Sequence, residues 1–423
     1  TTVDMHIKHD FDGNWMLDLG ALHQVADRES TAVTNTLTDN RGDYTTTTSN
    51  SAASRFTINS YLANLTGSID TGWLTQDIAT GMRGFVWKNY NPRNGGTFTL
   101  GHSSLDQHPD YPRPPYPDFN DRYHSATTTQ HAFLLSDTLH FSPQWSLLLS
   151  GSENLFTVSN YNKAGHESSR QQDNGMSGST SLMYKPVENV TLYTTWADSL
   201  QQGDTAPAGA RNAGQVLDPY RSHQLEVGAK YAPVKDLLLT AALFEAKRPF
   251  AYTNDNGDFA QDGTQKNRGL ELMADGHITR NLRVLGGGAW LDPTLHNTAA
   301  SNADGKQVVG LPRFASNILA IYTIERVPGL DVDTNVHYVG RRATDNANDS
   351  WVGSYTTVDI GTRYATRLWN TPTTFRFDIT NLTDRHYWTN IVPGALTGYT
   401  GAGAASAQLG APRQAQFSVQ VDF

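Results

Sequence analysis

Apolar and polar residues alternate along much of this chain with a period of two. At its end, Phe417, Val419, Val421 and Phe423 interleave with Ser418, Gln420 and Asp422. Successive side chains of a strand point to opposite faces, so this segment builds a ribbon that is apolar on one side and wet on the other. One such strand fits any antiparallel sheet with a solvated face. Its recurrence carries the argument.

Val3 to His9 and Trp15 to Leu22 flank the turn Phe11-Asp12-Gly13-Asn14, with Trp15, Leu17, Leu19 and Ala21 on a common face. A polar stretch from Gln24 to Ser54 then reads as a loop. The layout repeats: Phe56 to Ile69, a turn at Asp70-Thr71-Gly72, Thr75 to Tyr90, and a second long loop from Asn91 to Ser125. Hairpins with short turns at Ser142-Pro143-Gln144, Pro186 to Asn189, Pro233 to Asp236, Thr279-Arg280-Asn281, Val327-Pro328-Gly329 and Trp369 to Pro372 follow, each succeeded by a longer polar excursion. The count is about 17 strands. Short turns on one side and long loops on the other predict an all-β, transmembrane antiparallel barrel of the outer-membrane type, with β-sandwiches as the soluble alternative.

Composition supports the barrel. Apolar residues are 38% of the 423, below the ~45–50% usual for globular chains, yet there are 18 Tyr and 9 Trp. A spanning strand needs apolar residues only at every second position and favours Tyr and Trp at the interfaces, so the mean hydropathy of -0.50 is no objection. The longest apolar run, about Leu237 to Phe244, falls far short of the ~18 residues of a spanning helix. A net charge of -9 argues against nucleic acid as a partner, and the lack of cysteine excludes disulfides and thiolate chemistry. There is no leader-like segment, and Thr1 opens in strand-like sequence, so an exported chain of this kind is mature or truncated.

Several stretches resemble the TonB-dependent siderophore receptors, particularly the ferrichrome and hydroxamate type. They are Pro219 to Gly228 (PYRSHQLEVG), Asn267 to Leu272 (NRGLEL), Leu311 to Asn317 (LPRFASN), Tyr338-Val339-Gly340, and Asn381 to Trp388 (NLTDRHYW) with the terminal Phe423. Leu65 to Gly72 looks like an early barrel strand and turn of that family. The resemblance implies a barrel of about 22 strands around a plug, placed in the bacterial outer membrane. It also implies transport energised through a TonB-type coupling protein, with iron entering already chelated as a ferric siderophore. No cofactor or protein ligand to the metal is then needed. Neither the plug nor the coupling motif is visible, so the whole chain, 1–423, reads as barrel, with the plug and first strands apparently absent. Three accounts stay open: an incomplete sequence, a barrel completed by another chain, or a smaller barrel without a plug.

The family captures its ligand with aromatics from loops and upper walls. The resemblance points to Trp87, Tyr90, Tyr111, Tyr116, Phe119 and Tyr123 around the second long loop. A later set comprises Tyr338 and Trp351 with Tyr387, Trp388 and Tyr399. Such rings offer a chelate rigid contact area plus a hydrogen-bonding tip. Trp87, Tyr90 and the later set also fit an interfacial aromatic girdle. Arg341 and Arg342 suit an anionic chelate or a solvated loop face. His102, His108 and His124 beside Tyr111 suggest haem uptake, though their spacing matches no compact metal motif. Enzyme signatures are missing, and Gly286-Gly287-Gly288 reads as small residues within a strand. Asn64-Leu65-Thr66 and Asn381-Leu382-Thr383 match a glycosylation pattern by accident, inside strands. The rival readings are a plugless, porin-like channel and a structural barrel subunit of an envelope assembly.

Overall fold

Alternation becomes register in the structure, a computed structural model that describes residues 1–423 apart from 12, 29–31, 50–53, 95, 108, 113–119, 202, 208, 299–301, 393–405 and 423. Among the described residues there is no helix, and 17 strands form an antiparallel sheet, matching the count expected from the sequence. The chain divides into two units, 1–138 with 150–177, and 139–149 with 178–423.

In the first unit, β1 (Thr2–Phe11), β2 (Trp15–Arg28), β3 (Ala32–Leu37), β4 (Asp43–Ser49), β5 (Ser54–Asp70), β6 (Thr75–Pro92) and β7 (Thr97–Ser104) precede β8 (Arg122–His140), β9 (Trp145–Tyr161) and β10 (Glu167–Val187), whose ends near the turns belong to the second unit. β1, β2, β5 and β6 pair in sequence order. Register puts Ile7, Leu19, Ala63 and Met82 on one face, and Lys8, Asp18 and Asn64 on the other. The expected loops 24–54 and 91–125 are not featureless: β2 runs to Arg28, and β3, β4 and β7 form a separate three-stranded sheet. The Thr45-Thr46-Thr47-Thr48 run explains it. Threonine is polar, which reads as loop, but β-branched, which favours a strand.

The second unit continues with β11 (Val190–Gln201), β12 (Tyr220–Val234), β13 (Leu237–Thr253), β14 (Phe259–His277), β15 (Leu282–His296), β16 (Phe314–Thr323) and β17 (Leu330–Val339). Two short loop strands, β18 (Arg342–Ala343) and β19 (Trp351–Val352), precede β20 (Tyr355–Leu368) and β21 (Thr371–Thr380). A second loop pair, β22 (Trp388–Val392) and β23 (Ser406–Leu409), leads to β24 (Gln414–Val421). Consecutive sheet strands pair from β10 to β24. Gly286-Gly287-Gly288 lies within β15, as expected. Asn381 does not lie within a strand: it follows β21 with a φ of 49°.

One face of this unit is apolar and exposed, including Leu243, Ile318, Val336, Phe377 and Phe417. Aromatics bound it. Trp290, Phe314 and Tyr338 form a ladder near the long loops, with ring centroids 4.6 and 5.7 Å apart, while Tyr322 and Tyr364 mark the same face near the short turns. From Phe314 to Tyr322 the strand runs roughly 27 Å at ~3.4 Å per residue, and tilted it fits a hydrocarbon band of about 25 Å. The opposite face carries Asn317, Asp333, Asn335, His337, Asp359 and Asp378.

Candidate functional site

The polar face of the second unit holds a cavity of about 920 Å³, lined among others by Glu271, Asn317, Asp333, Asn335, His337, Asp359 and Asp378. It shares Asn317, Asn335, His337 and Asp359 with a recess of about 300 Å³ that reaches Tyr387 near the long loops. Gly361 of β20 lies between Asp333 and Asp378 on the flanking strands. A Cβ there would come within 2.5 Å of an Asp333 carboxylate oxygen and 2.7 Å of one from Asp378. Only glycine lets both carboxylates close over that strand.

Above this wall, the rings of His337 and Tyr355 meet edge to face at 5.7 Å, and Tyr355 stacks on Tyr387 at 4.2 Å. The Arg342 guanidinium lies 5.6 Å from the Tyr355 ring centroid and donates to the carbonyls of Trp388 and Thr389. Arg342 is only 3% exposed. Burial lowers its pKa and raises that of Tyr387, where Tyr355 and Asp359 add to the shift, so Tyr387 keeps a neutral hydroxyl at neutral pH. Gly410 packs directly beneath the Tyr387 ring.

The Asn381 to Trp388 stretch positions Tyr387. Asn381 donates its side-chain amide to the carbonyls of Arg385 (2.9 Å) and Ala411 (3.0 Å), and its side-chain oxygen accepts the Arg385 N–H at 2.8 Å. Its own N–H donates to the Asp359 carboxylate at 2.7 Å, while Asn335 donates to the other Asp359 oxygen at 3.3 Å. The motif is a turn lock joined to the polar wall. Asparagine suits the left-handed conformation there better than most residues.

In the first unit Arg28, Arg55 and Arg93 are more accessible. Phe56 and Trp87 meet on the polar face with centroids 5.6 Å apart, and Arg28 lies 5.2 Å from the Phe56 ring. Asp27 pairs with Arg55 at 2.8 Å and Arg122 at 3.1 Å. Tyr90 approaches His124, which stacks on Tyr161 at 4.4 Å, and Arg93 lies over the Tyr123 ring at 5.6 Å. Tyr111 packs against Gly101 of β7 with its hydroxyl buried.

Of the sequence candidates, Trp87 stands on the polar face, while Tyr90 falls in register with the apolar one. Tyr116, Phe119 and Tyr399 lie outside the described residues, as does His108. Tyr338 points to the apolar face in the Trp290–Phe314 ladder, the girdle position that the sequence left open for it, because it shares the parity of Val336. Trp351 is turned into its own loop, its indole N–H donating to the Asn348 carbonyl at 2.8 Å with Arg341 over the ring at 4.7 Å. Arg342 is likewise no solvated loop face. Of the histidines considered for haem, His102 bonds Thr45 and His124 is stacked between tyrosines. Among the described residues no group of three His, Cys, Asp or Glu could hold a metal ion. The sequence reading missed His337 and Tyr355. Parity was the available signal: His337 alternates with the apolar Val336 and Tyr338, and so faces the polar side.

Residues 1–382 match the family described as "TonB dependent receptor-like, beta-barrel". The ferrichrome receptor FcuA of Yersinia enterocolitica is 31% identical over 300 residues, covering 68% of this chain and 38% of its own length. The probable TonB-dependent siderophore receptor PiuA of Acinetobacter baumannii is 26% identical over 299 residues, covering 64% of this chain and 38% of its own length. Among solved structures, the ferric preacinetobactin receptor BauA of Acinetobacter baumannii superimposes with a TM-score of 0.81 at 23% identity, covering 100% of this chain and 62% of that one. The chain thus spans less than two thirds of these relatives.

Proposed function

The chain belongs to the TonB-dependent receptor β-barrels of the bacterial outer membrane, and on that premise we propose that it is the barrel of a receptor and transporter for a ferric siderophore. The polar face lines the lumen and the apolar face meets lipid. Energisation through a TonB-type coupling protein, which the family description carries, is part of this proposal. The iron is cargo, carried in by its chelator.

The observation that carries this reading is the lumenal recess opening on His337 and Tyr387 and continuous with the larger polar cavity. Its size lies within the ~300–1,000 Å³ range of small-molecule sites. Aromatic edges and neutral hydrogen-bonding tips there suit the oxygen-rich surface of a chelate. Trp87, Tyr111, Tyr123 and, through its loop, Trp351 are proposed as further contacts.

The test is binding of a ferric hydroxamate to the full-length receptor, followed by quenching of tryptophan fluorescence. His337→Ala and Tyr387→Ala should each weaken binding about tenfold, the loss of roughly one good contact. Unchanged affinity in both variants overturns the site. Ion conductance without any ligand response supports the channel instead, and a stable protein partner without ligand binding supports the accessory barrel.

A further inference from the structure

Three long loops of the second unit, 297–313, 340–354 and 381–413, are fastened to one another rather than standing apart. Asn348, held in the left-handed region at a φ of 59°, turns its side-chain amide onto the main chain of Gln307. Its oxygen accepts the Gln307 N–H at 2.7 Å, and its nitrogen donates to the Gln307 carbonyl at 2.9 Å. One side chain thus meets both main-chain polar groups of a buried residue. Further along the same loop, the Gly310 N–H donates to the Ala343 carbonyl at 3.0 Å, and Gly310, at a φ of 77°, packs so closely on the Ile391 carbonyl that a Cβ has no room. Arg342 closes the triangle through the carbonyls of Trp388 and Thr389. Val309, Ala343, Asn346 and Ile391 are all buried.

Asn348 is itself held firmly. Its nitrogen also donates to the Asp345 carbonyl at 3.1 Å, while the Asp345 carboxylate accepts the N–H groups of Asp349 and Ser350, both at 2.9 Å. Buried main-chain groups left unmet are costly, so the bonds to Gln307 hold one loop to the next. Asn348 lies outside the described lining of the recess at His337 and Tyr387, yet its loop carries Arg342, whose acceptors begin one residue after Tyr387. We infer that Asn348 is a positioning residue: its clasp on Gln307 assembles the three loops before ligand arrives and so holds Tyr387 at the recess. What the recess takes up rests on the siderophore reading above. A wall ordered in advance spares the ligand the entropy of ordering it. Cutting the clasp transfers that cost to binding.

The test uses the full-length receptor, with heat-modifiable gel migration to verify folding. Asn348→Gly keeps the left-handed backbone accessible and removes the side-chain bonds. Asn302→Gly, at an exposed asparagine with a φ of 55°, is the control. Amide exchange should rise about tenfold in both 306–311 and 381–392 in the first variant and stay unchanged in the control. Affinity for a ferric hydroxamate, read by tryptophan quenching, should fall severalfold. Adding Asn348→Gly to Tyr387→Ala should cost no more than Tyr387→Ala alone, since the asparagine acts through that ring. Faster exchange confined to 306–311 and 341–352, or additive losses in the double variant, overturns the inference. Should Asn348→Gly fail to fold, Asn348→Asp, which keeps an acceptor for the Gln307 N–H and loses the donated bonds, must still raise exchange in 381–392. If the receptor binds no ferric hydroxamate, the siderophore reading falls, and exchange in 381–392 by itself decides the clasp.

Discussion

The long-loop ends of the two units use the same residue types in opposite ways. In the second, Arg342 is buried against Tyr355 and donates to two backbone carbonyls, so its charge holds a loop in place. In the first, Arg28, Arg55 and Arg93 keep accessible guanidiniums over rings or beside Asp27 and Asp121. A buried cation with fixed acceptors is structural, because leaving it unpaired costs far more than any contact with a passing ligand returns. An accessible one remains available for recognition. The long-loop end of the second unit is thus a rigid shelf, and that of the first unit an adaptable rim.

The largest expected effect tests the shelf. Asn381→Ala removes three side-chain hydrogen bonds at a residue with φ of 49°, and should cost roughly 2–4 kcal/mol of local stability. Faster amide exchange in 381–392, with little change in the first unit, is the readout. Gly361→Ala comes next, at about 1–3 kcal/mol, because its methyl meets two carboxylates. Pairing it with Asp333→Ala should restore part of the melting temperature, since the Asp378 contact at 2.7 Å remains, and no recovery at all would place the strain elsewhere.

For the rim the sign changes: Trp87→Ala should leave stability within ~0.5–1 kcal/mol, since the indole is 39% exposed, while weakening chelate binding severalfold. A large loss of stability would erase the distinction between the units. Asp27→Asn should cost no more than ~1 kcal/mol, an exposed ion pair being screened by solvent.

The smallest effect is a pH response in the loop sheet. Asp39 has its carboxyl pKa lowered below the ordinary 3.8, first by the Asp43 backbone N–H and then by Arg41. A depressed folded pKa contributes stability above the unfolded value, and that contribution disappears as pH falls through the folded one. Exchange at the Arg41 and Asp43 amides should therefore be more protected at pH ~5 than at pH ~2 relative to intrinsic rates, and equal protection would dismiss the turn as a contributor.

The alternation of apolar and polar residues determined the strands, their number, the short-turn side and the long-loop side, because a sheet with one face in lipid imposes a period of two on nearly every spanning segment. It also contained the parity that separates His337 from Tyr338, though ring type distracted from it. What it could not determine were the contacts that depend on the loops. The Thr-rich β3–β4–β7 sheet reads as polar coil until a third strand supplies its hydrogen bonds. Arg342, accessible in any local reading, becomes buried only when residues more than forty positions away fold over it. Period follows from neighbours along the chain, whereas burial depends on which distant segment arrives.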